Sequence, residues 1–233
     1  NPYLVTVIDM EAGNVRQTSD VRFTNYRLSS AVNRLAMKSD GSLILGFHDD
    51  ESDGRSADRT RLLRPFQAAK SLIMQTSVNE CCFPVWSDDV WVLDSYGKVS
   101  CWSAEVSPGG KATRVFQLDL PLPVTNMAAL AGVGELALSF DDGVSAVQID
   151  GITGEVNQTR IAGSACQLVP LQTGISQKKS AEVRNLVCYW DSVAKHLVLE
   201  AWEPGKIDAE RQSWKIHLSE VEDVRASVVS ERG

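Results

Sequence analysis

The densest group of side chains with metal-binding potential runs from His48 to Arg55. Three carboxylates alternate along this segment and a glycine follows them, as at the start of a calcium-binding loop. The twelfth position of such a loop holds a glutamate that gives two ligand oxygens, whereas this chain has Thr60 there. The segment is therefore predicted to be a connecting loop, and no calcium site is expected.

The cysteines and histidines lack the short, regular spacing of a zinc site. Cys81 and Cys82 are adjacent, and the three histidines stand alone in the sequence. No local pattern of a cysteine nucleophile surrounds any of the five thiols. We therefore predict no metal and no catalytic cysteine.

Phosphate-binding motifs are also incomplete. Lys111 follows two glycines, but Ala112 stands where a P-loop has the hydroxyl that holds magnesium. The glycines at 132 and 134 lack the third glycine of a dinucleotide-binding turn and precede a predicted strand. No nucleotide or other cofactor is therefore expected.

Basic side chains and one tryptophan are the candidate partner-binding residues. Four arginines follow the acidic segment and could bind a phosphorylated or acidic peptide. Most of the tryptophans are expected in the core, with Trp86 and Trp91 as the exceptions, because Trp86 lies beside a predicted turn. Two lysines lie in the polar segment 172–182, which is predicted to be a loop insertion. The candidates are Arg55, Arg59, Arg61, Arg64, Trp86, Lys178 and Lys179.

Charge is unevenly distributed along the 233 residues, whose net charge is −7. Residues 71–97 contain four acidic and no basic side chains, and residues 115–159 contain six acidic and no basic ones. Nucleic-acid binding needs clustered lysine and arginine, so nucleic acid is not an expected partner. The acids either form a face that recruits a basic protein segment or simply keep the surface solvated.

Compartment follows from the cysteines and from the absence of long apolar runs. An odd count of five irregularly spaced cysteines argues against a disulfide scaffold and favours an intracellular location, cytoplasmic or nuclear. No apolar run is long enough to span a bilayer, so no membrane association is expected. Because the chain starts at Asn1 without a signal-peptide pattern, we expect a trimmed or excised part of a protein.

A weak repeat of about 46 residues organises the chain. Gly97 precedes Gly143 by 46 residues, and Gly41 precedes Gly134 by 93, or two such periods. Around each glycine an apolar strand, a turn rich in aspartate and glycine, and an alternating strand follow one another, which is the pattern of a β-hairpin. A further copy begins at Lys195, about 15 residues late, and the insertion 172–182 accounts for the delay.

Repeats of this length are typical of the four-stranded blades of β-propellers. The segments 40–46 and 97–103 resemble degenerate WD-repeat blades, although Ser103 replaces the aspartate of the Trp-Asp pair and no Gly-His dipeptide occurs. The resemblance implies an all-β fold of antiparallel blades and a rigid platform for binding proteins. We predict one domain over residues 1–233, whose five units would form a small or incomplete ring.

An alternative all-β interpretation is similar to the polo-box family. The strand, acidic turn and strand at 134–147 and 41–50 resemble the strand pairs of that family, and residues 58–75 would supply its helix. This resemblance implies two β-sheet units that dock a larger kinase onto partners, for example at a kinetochore or centrosome.

The predicted function is a non-catalytic scaffold that binds a partner protein or peptide within a larger complex. The polo-box-like docking module is one alternative. A propeller enzyme with its site in the central channel is the other, although the sequence offers no catalytic motif for it.

Overall fold

The computed structural model describes most of the central part of the chain and shorter parts of both ends. The described residues are 3–9, 22–28, 34–38, 42–47, 60–64, 72–84, 86–105, 110–130, 132–163, 166–169, 171–173, 185–202, 212–220 and 227–229. Every regular element among them is a β-strand. The expected all-β class is therefore confirmed.

Twenty strands are present in the described residues. The first ten are β1 (Tyr3–Asp9), β2 (Arg22–Leu28), β3 (Arg34–Met37), β4 (Ile44–Phe47), β5 (Thr60–Leu63), β6 (Leu72–Met74), β7 (Glu80–Cys82), β8 (Val90–Leu93), β9 (Val99–Ser103) and β10 (Thr113–Gln117). The others are β11 (Val124–Ala129), β12 (Glu135–Phe140), β13 (Gly143–Ile149), β14 (Val156–Ala162), β15 (Cys166–Val169), β16 (Leu171–Thr173), β17 (Asn185–Asp191), β18 (His196–Trp202), β19 (Gln212–His217) and β20 (Ser227–Val229).

Sixteen of these strands form four sheets of four antiparallel strands each. The sheets follow one another along the chain in the orders β3-β4-β5-β6, β7-β8-β9-β10, β11-β12-β13-β14 and β15-β17-β18-β19, and are called the first to fourth sheets. β1 and β2 form a separate antiparallel hairpin, and β16 pairs in parallel with β20.

Consecutive sheets pack face to face through three apolar clusters. One lies between the first and second sheets and includes Leu45, Met74 and Trp102. A second, around Trp91 and Leu138, joins the second sheet to the third, and a third cluster joins the third sheet to the fourth. Four-stranded antiparallel sheets packed in sequence order are the arrangement of propeller blades, so the fold is β-propeller-like.

The sheets share one orientation, which gives the array two distinct ends. At the entry end, where the first strand of each sheet begins, the N–H of Val124 donates to the Gly97 carbonyl at 2.9 Å. At the exit end, where each first strand finishes, Lys38 Nζ donates to Asp88 Oδ1 at 2.8 Å and to the Ser87 carbonyl at 3.0 Å. These contacts join the second sheet to its two neighbours.

The structure accounts for the repeated glycines. Gly97 lies in the turn between the second and third strands of the second sheet, and Gly143 begins the third strand of the third sheet directly after the corresponding turn, with φ values of 76° and 134°. Lys195 lies in the corresponding turn of the fourth sheet and has φ of 55°, in the left-handed region that favours glycine. The late repeat copy at Lys195 thus marks the same turn in the fourth sheet.

The helix of the polo-box alternative is wrong. Within residues 58–75, Thr60–Leu63 and Leu72–Met74 are strands that pair with each other in the first sheet. Thr60 is β-branched and Leu62 is aliphatic. Every residue of β5 is buried, which suits a central strand.

The predicted insertion begins inside an element. Gln172 and Thr173 belong to β16, and the rest of the segment lies outside the described residues. The boundaries of the insertion and of the domain therefore stay predictions.

Candidate functional site

Three of the sequence-predicted partner residues have described side chains. Arg61 lies in β5 and is only 5% exposed, with Nη1 donating to the Thr60 carbonyl at 2.9 Å. Arg64, just after β5, is half-buried. A partner could reach little of the Arg61 side chain, and partner binding by either arginine stays a prediction.

Trp86 also has a structural role. Its Nε1 donates to the Leu130 carbonyl at 3.1 Å, so it connects the exit ends of the second and third sheets. Its ring meets that of Trp91 edge-on, with centroids 6.5 Å apart. The expectation that Trp91 also lies outside the core is wrong, because Trp91 is 1% exposed.

The remaining candidates, Arg55, Arg59, Lys178 and Lys179, lie outside the described residues. Among the described candidates, Arg64 and Trp86 follow strands that finish at the exit end. These two residues therefore lie at the same end of the array.

Acidic side chains of the third sheet are divided between the two ends of the array. Asp141 and Asp142 form the turn between β12 and β13 at the entry end. Asp150 and Glu155 lie at the opposite end, in the turn between β13 and β14. In this part of the chain the acids do not form one face, and a basic partner stays a prediction.

The thiols are poorly suited to nucleophilic chemistry. All five cysteines are free, and three of them are buried. Burial raises the pKa of Cys81 to about 12 and that of Cys166 to about 11, and it also raises the pKa of Cys82 and of Cys101. The thiolate is the nucleophilic form, so these four side chains are unreactive at neutral pH.

Glu80 is the notable ionisable group on the first strands, the position that faces the axis in a propeller. Its Oε2 accepts the N–H of Met127 from the neighbouring sheet at 3.2 Å. Burial raises the pKa of Glu80, while the Met127 N–H and the charge of Arg34 lower it by smaller amounts. Among the described residues no group of three or more His, Cys, Asp or Glu side chains could hold a metal. Glu80 thus joins two sheets, with no described catalytic partner.

Glu80→Gln is expected to raise the free energy of unfolding more at pH 7 than at pH 4. Because folding raises the pKa of Glu80, its side chain is neutral in both the folded and the unfolded state below about pH 4.5. As the pH rises from there through the pKa of the folded state, the unfolded state ionises more readily and the wild-type protein loses stability. Glutamine is neutral throughout and keeps an oxygen for the Met127 N–H. Urea denaturation at both pH values measures the effect, and Glu155→Gln, at an exposed carboxylate, controls for the amide. A stability difference that does not change with pH would contradict the expectation.

Among the strands whose side chains are described, β19, the last strand of the fourth sheet, is the most exposed one that carries large apolar side chains. All six of its residues are exposed. Trp214 is 49% and Ile216 is 58% exposed, and the two project from the same face because side chains alternate along a strand. In the second and third sheets the comparable side chains, Phe116 and Ile161, pack against the clusters shared with the following sheet.

The apolar surface continues onto β18. Leu197 lies opposite Ile216 and Leu199 opposite Trp214, and both leucines pack on the small cluster around Trp190. We call these four residues, Leu197, Leu199, Trp214 and Ile216, the edge patch. Its face is turned away from the third sheet, because the opposite face of the fourth sheet carries the cluster shared with that sheet.

Basic side chains occupy the other face of the same edge. Lys215 and His217 are exposed there, and the His217 ring lies 5.1 Å from the ring of His196 on β18. Among the described strands β19 pairs with β18. The strand thus combines an apolar face with a face that carries a lysine and a histidine.

Sequence reasoning identified this strand but not its exposure. The alternation of Trp214, Ile216 and Leu218 is the pattern of a strand with one buried face. Only the packing of the four sheets shows that no described sheet follows the fourth. A second exposed apolar pair, Leu35 and Met37 on β3, has the same cause at the other flank of the array.

Comparisons with known proteins place this chain near propeller-like structures without identifying a family. No family model and no curated protein sequence matches it. Similar solved structures include Sqt1 of Saccharomyces cerevisiae, with 16% identity over 82% of this chain and 48% of that one, and a TM-score of 0.46. The WD40 domain of SCAP from fission yeast has 10% identity over 99% of this chain and 51% of that one, with a TM-score of 0.37.

A third similar structure comes from an enzyme candidate. It is a candidate 6-phosphogluconolactonase from Bacteroides uniformis, with 10% identity over 86% of this chain and 66% of that one, and a TM-score of 0.47. This chain spans less than two thirds of each of these three structures. The similarities concern the fold and carry no conclusion about activity. No helix in the described residues is long and apolar enough to cross a membrane.

Proposed function

We propose that this chain is a non-catalytic protein-binding module of a larger assembly. The edge patch carries the proposal, because contiguous apolar side chains exposed on one face commonly mark protein interfaces. Tryptophan is also among the residues that contribute most to binding when a partner covers them. The five free cysteines support a reducing, intracellular setting for this module.

Site-specific photo-crosslinking in the source cell tests the function. A photoreactive phenylalanine derivative is placed singly at Trp214, at Leu35 and at Ile152, which are all exposed and lie on different parts of the surface. We expect a discrete protein adduct from position 214 and none from position 152, which lies in a polar turn. If none of the three positions yields a protein adduct, the protein-binding function is wrong.

A further inference from the structure

We propose that His196 and His217 form a binding site for a zinc ion on the fourth sheet. The two histidines lie on neighbouring strands, β18 and β19, at directly opposite positions of the register. Neutral imidazole is the commonest metal ligand in proteins, and zinc is among the ions that it binds. The pair projects from the face opposite the edge patch, because side chains alternate along a strand. The proposal is therefore independent of the protein-binding function.

The hydrogen bonding of the two strands brings these side chains together. The N–H of Leu218 donates to the Lys195 carbonyl at 2.9 Å, and these two residues flank the histidine pair. His196 and His217 therefore form a non-hydrogen-bonded pair, the position at which opposite side chains of an antiparallel sheet lie closest. Because strand pairing creates this proximity, the spacing of the histidines in the sequence did not indicate a metal site.

The separation of the two rings fits one shared ion. The centroids of His196 and His217 lie 5.1 Å apart, and the ring planes are inclined at 56°. Two imidazoles bound to one tetrahedral zinc ion, with zinc–nitrogen distances of about 2.0 to 2.1 Å, place their centroids about 5 Å apart. The two rings can therefore reach a common ion by rotation of the side chains, without movement of either strand.

Both rings are accessible to an ion from solvent. His217 is exposed and His196 is half-buried. Within the part of the chain that the structure describes, no hydrogen bond engages a ring nitrogen of either histidine, and their interaction is the contact between the rings. Binding of an ion would thus displace no described hydrogen bond of these side chains.

A row of polar side chains continues across the sheet, but the histidine pair is the proposed ligand set. Asp191 lies opposite His196 on β17, and Cys166 lies opposite Asp191 on β15. Neighbouring strands are about 4.8 Å apart, so the Cys166 backbone lies about 10 Å from β18, too far to share an ion with both histidines. Asp191 Oδ1 already accepts the N–H groups of Val193 and Ala194. Water would therefore fill the remaining positions around the ion.

Charges on this face of the fourth sheet favour a cation on balance. Asp191 and Glu200 project from the same face as the histidines, and Lys215 is the basic side chain described there. Two carboxylates and one ammonium group leave a net negative charge around the pair. Carboxylates near metal-bound histidines commonly orient the rings and strengthen binding, so this surrounding suits a zinc ion.

Nuclear magnetic resonance of the histidine rings tests the site. Zinc chloride is titrated into the ¹⁵N-labelled protein, and the ring nitrogens are observed through long-range ¹H–¹⁵N correlations. The chain has three histidines, so three sets of ring signals are expected. We expect two sets, those of His196 and His217, to change together and saturably. The five free thiols can also bind zinc, but the ring signals report directly on the histidines.

Single substitutions remove one ligand at a time. His196→Gln and His217→Gln are each expected to weaken zinc binding at the remaining ring at least about tenfold, because the second ligand of a chelate acts at a high effective concentration. Lys215→Gln, on the same face of β19, is the matched control and should not weaken binding, since it removes a neighbouring positive charge. Circular dichroism of each variant verifies that the sheets are intact.

Four results would overturn the proposal. The first two are ring signals that do not respond to zinc and a response of one histidine alone. The third is an unchanged zinc affinity of the His217 ring in His196→Gln, which would show that the rings do not share an ion. The fourth is a loss of affinity in Lys215→Gln equal to that in the histidine variants. None of these results bears on the protein-binding function, which the crosslinks from three surface positions test.

Discussion

Replacement of Trp91 by alanine is expected to lower the free energy of unfolding by about 3 to 5 kcal/mol, the cost typical of removing a buried tryptophan side chain. Trp91 is 1% exposed and lies in the cluster that joins the second and third sheets. Its ring contacts those of Trp86 and Phe116, with centroids 6.5 and 6.1 Å away. Alanine would leave a cavity between two sheets whose backbones are fixed by their own hydrogen bonds.

The indole N–H gives this prediction a second part. Trp91 Nε1 is buried and has no hydrogen-bond acceptor among the described residues. An unpaired buried donor is itself unfavourable, so Trp91→Phe, which removes the donor and keeps an aromatic ring, should cost about 1.5 kcal/mol or less. Urea denaturation followed by circular dichroism measures both variants.

Trp214 supplies the matched control, because it is the same residue type in an exposed strand. Trp214→Ala should change stability by less than about 1 kcal/mol, since the side chain is 49% exposed. If Trp91→Ala and Trp214→Ala lowered the free energy of unfolding equally, Trp91 would not lie in a hydrophobic core between the second and third sheets. The same comparison verifies that edge-patch variants used in binding experiments remain folded.

The spacing of glycines was sufficient to predict the repeated hairpins. Gly97 and Gly143 are 46 residues apart because each lies where the chain turns into the third strand of its sheet. At Gly97 a Cβ would lie 2.6 Å from Pro123 Cβ, so the turn also allows close approach of the next sheet. A positive φ and a close contact are local requirements, and local requirements leave a mark in sequence.

Exposure of whole faces could not be predicted in this way. Trp214 and Ile216 alternate as the residues of a half-buried strand do, but whether another sheet covers them depends on the order of packing. Arg61 shows the converse, because a charged residue expected at the surface lies in a central strand at 5% exposure. Burial results from contacts between residues far apart in sequence, and residue type alone does not determine it.

Gly143→Ala is expected to destabilise the protein by about 2 to 4 kcal/mol, through backbone strain and overpacking together. The residue has φ of 134°, a conformation that side chains with a Cβ rarely adopt. A Cβ at this position would lie 2.3 Å from the carbonyl oxygen of Ala162 and 2.5 Å from that of Gly163. Both oxygens belong to the backbone at the end of β14, so relief of the contact would disturb the pairing of β13 with β14.

Two other glycines separate the strain from the contact. Gly110 also has a positive φ, 69°, but a Cβ there would meet nothing within 4 Å, so Gly110→Ala should cost about 1 kcal/mol from strain alone. Gly151→Ala, with open space and no positive φ, should change stability by less than about 0.5 kcal/mol. The order Gly143, Gly110, Gly151 in urea denaturation is the expected result. If Gly143→Ala cost no more than Gly110→Ala, the end of β14 would not lie against this turn, and the geometry of the third sheet would be wrong there.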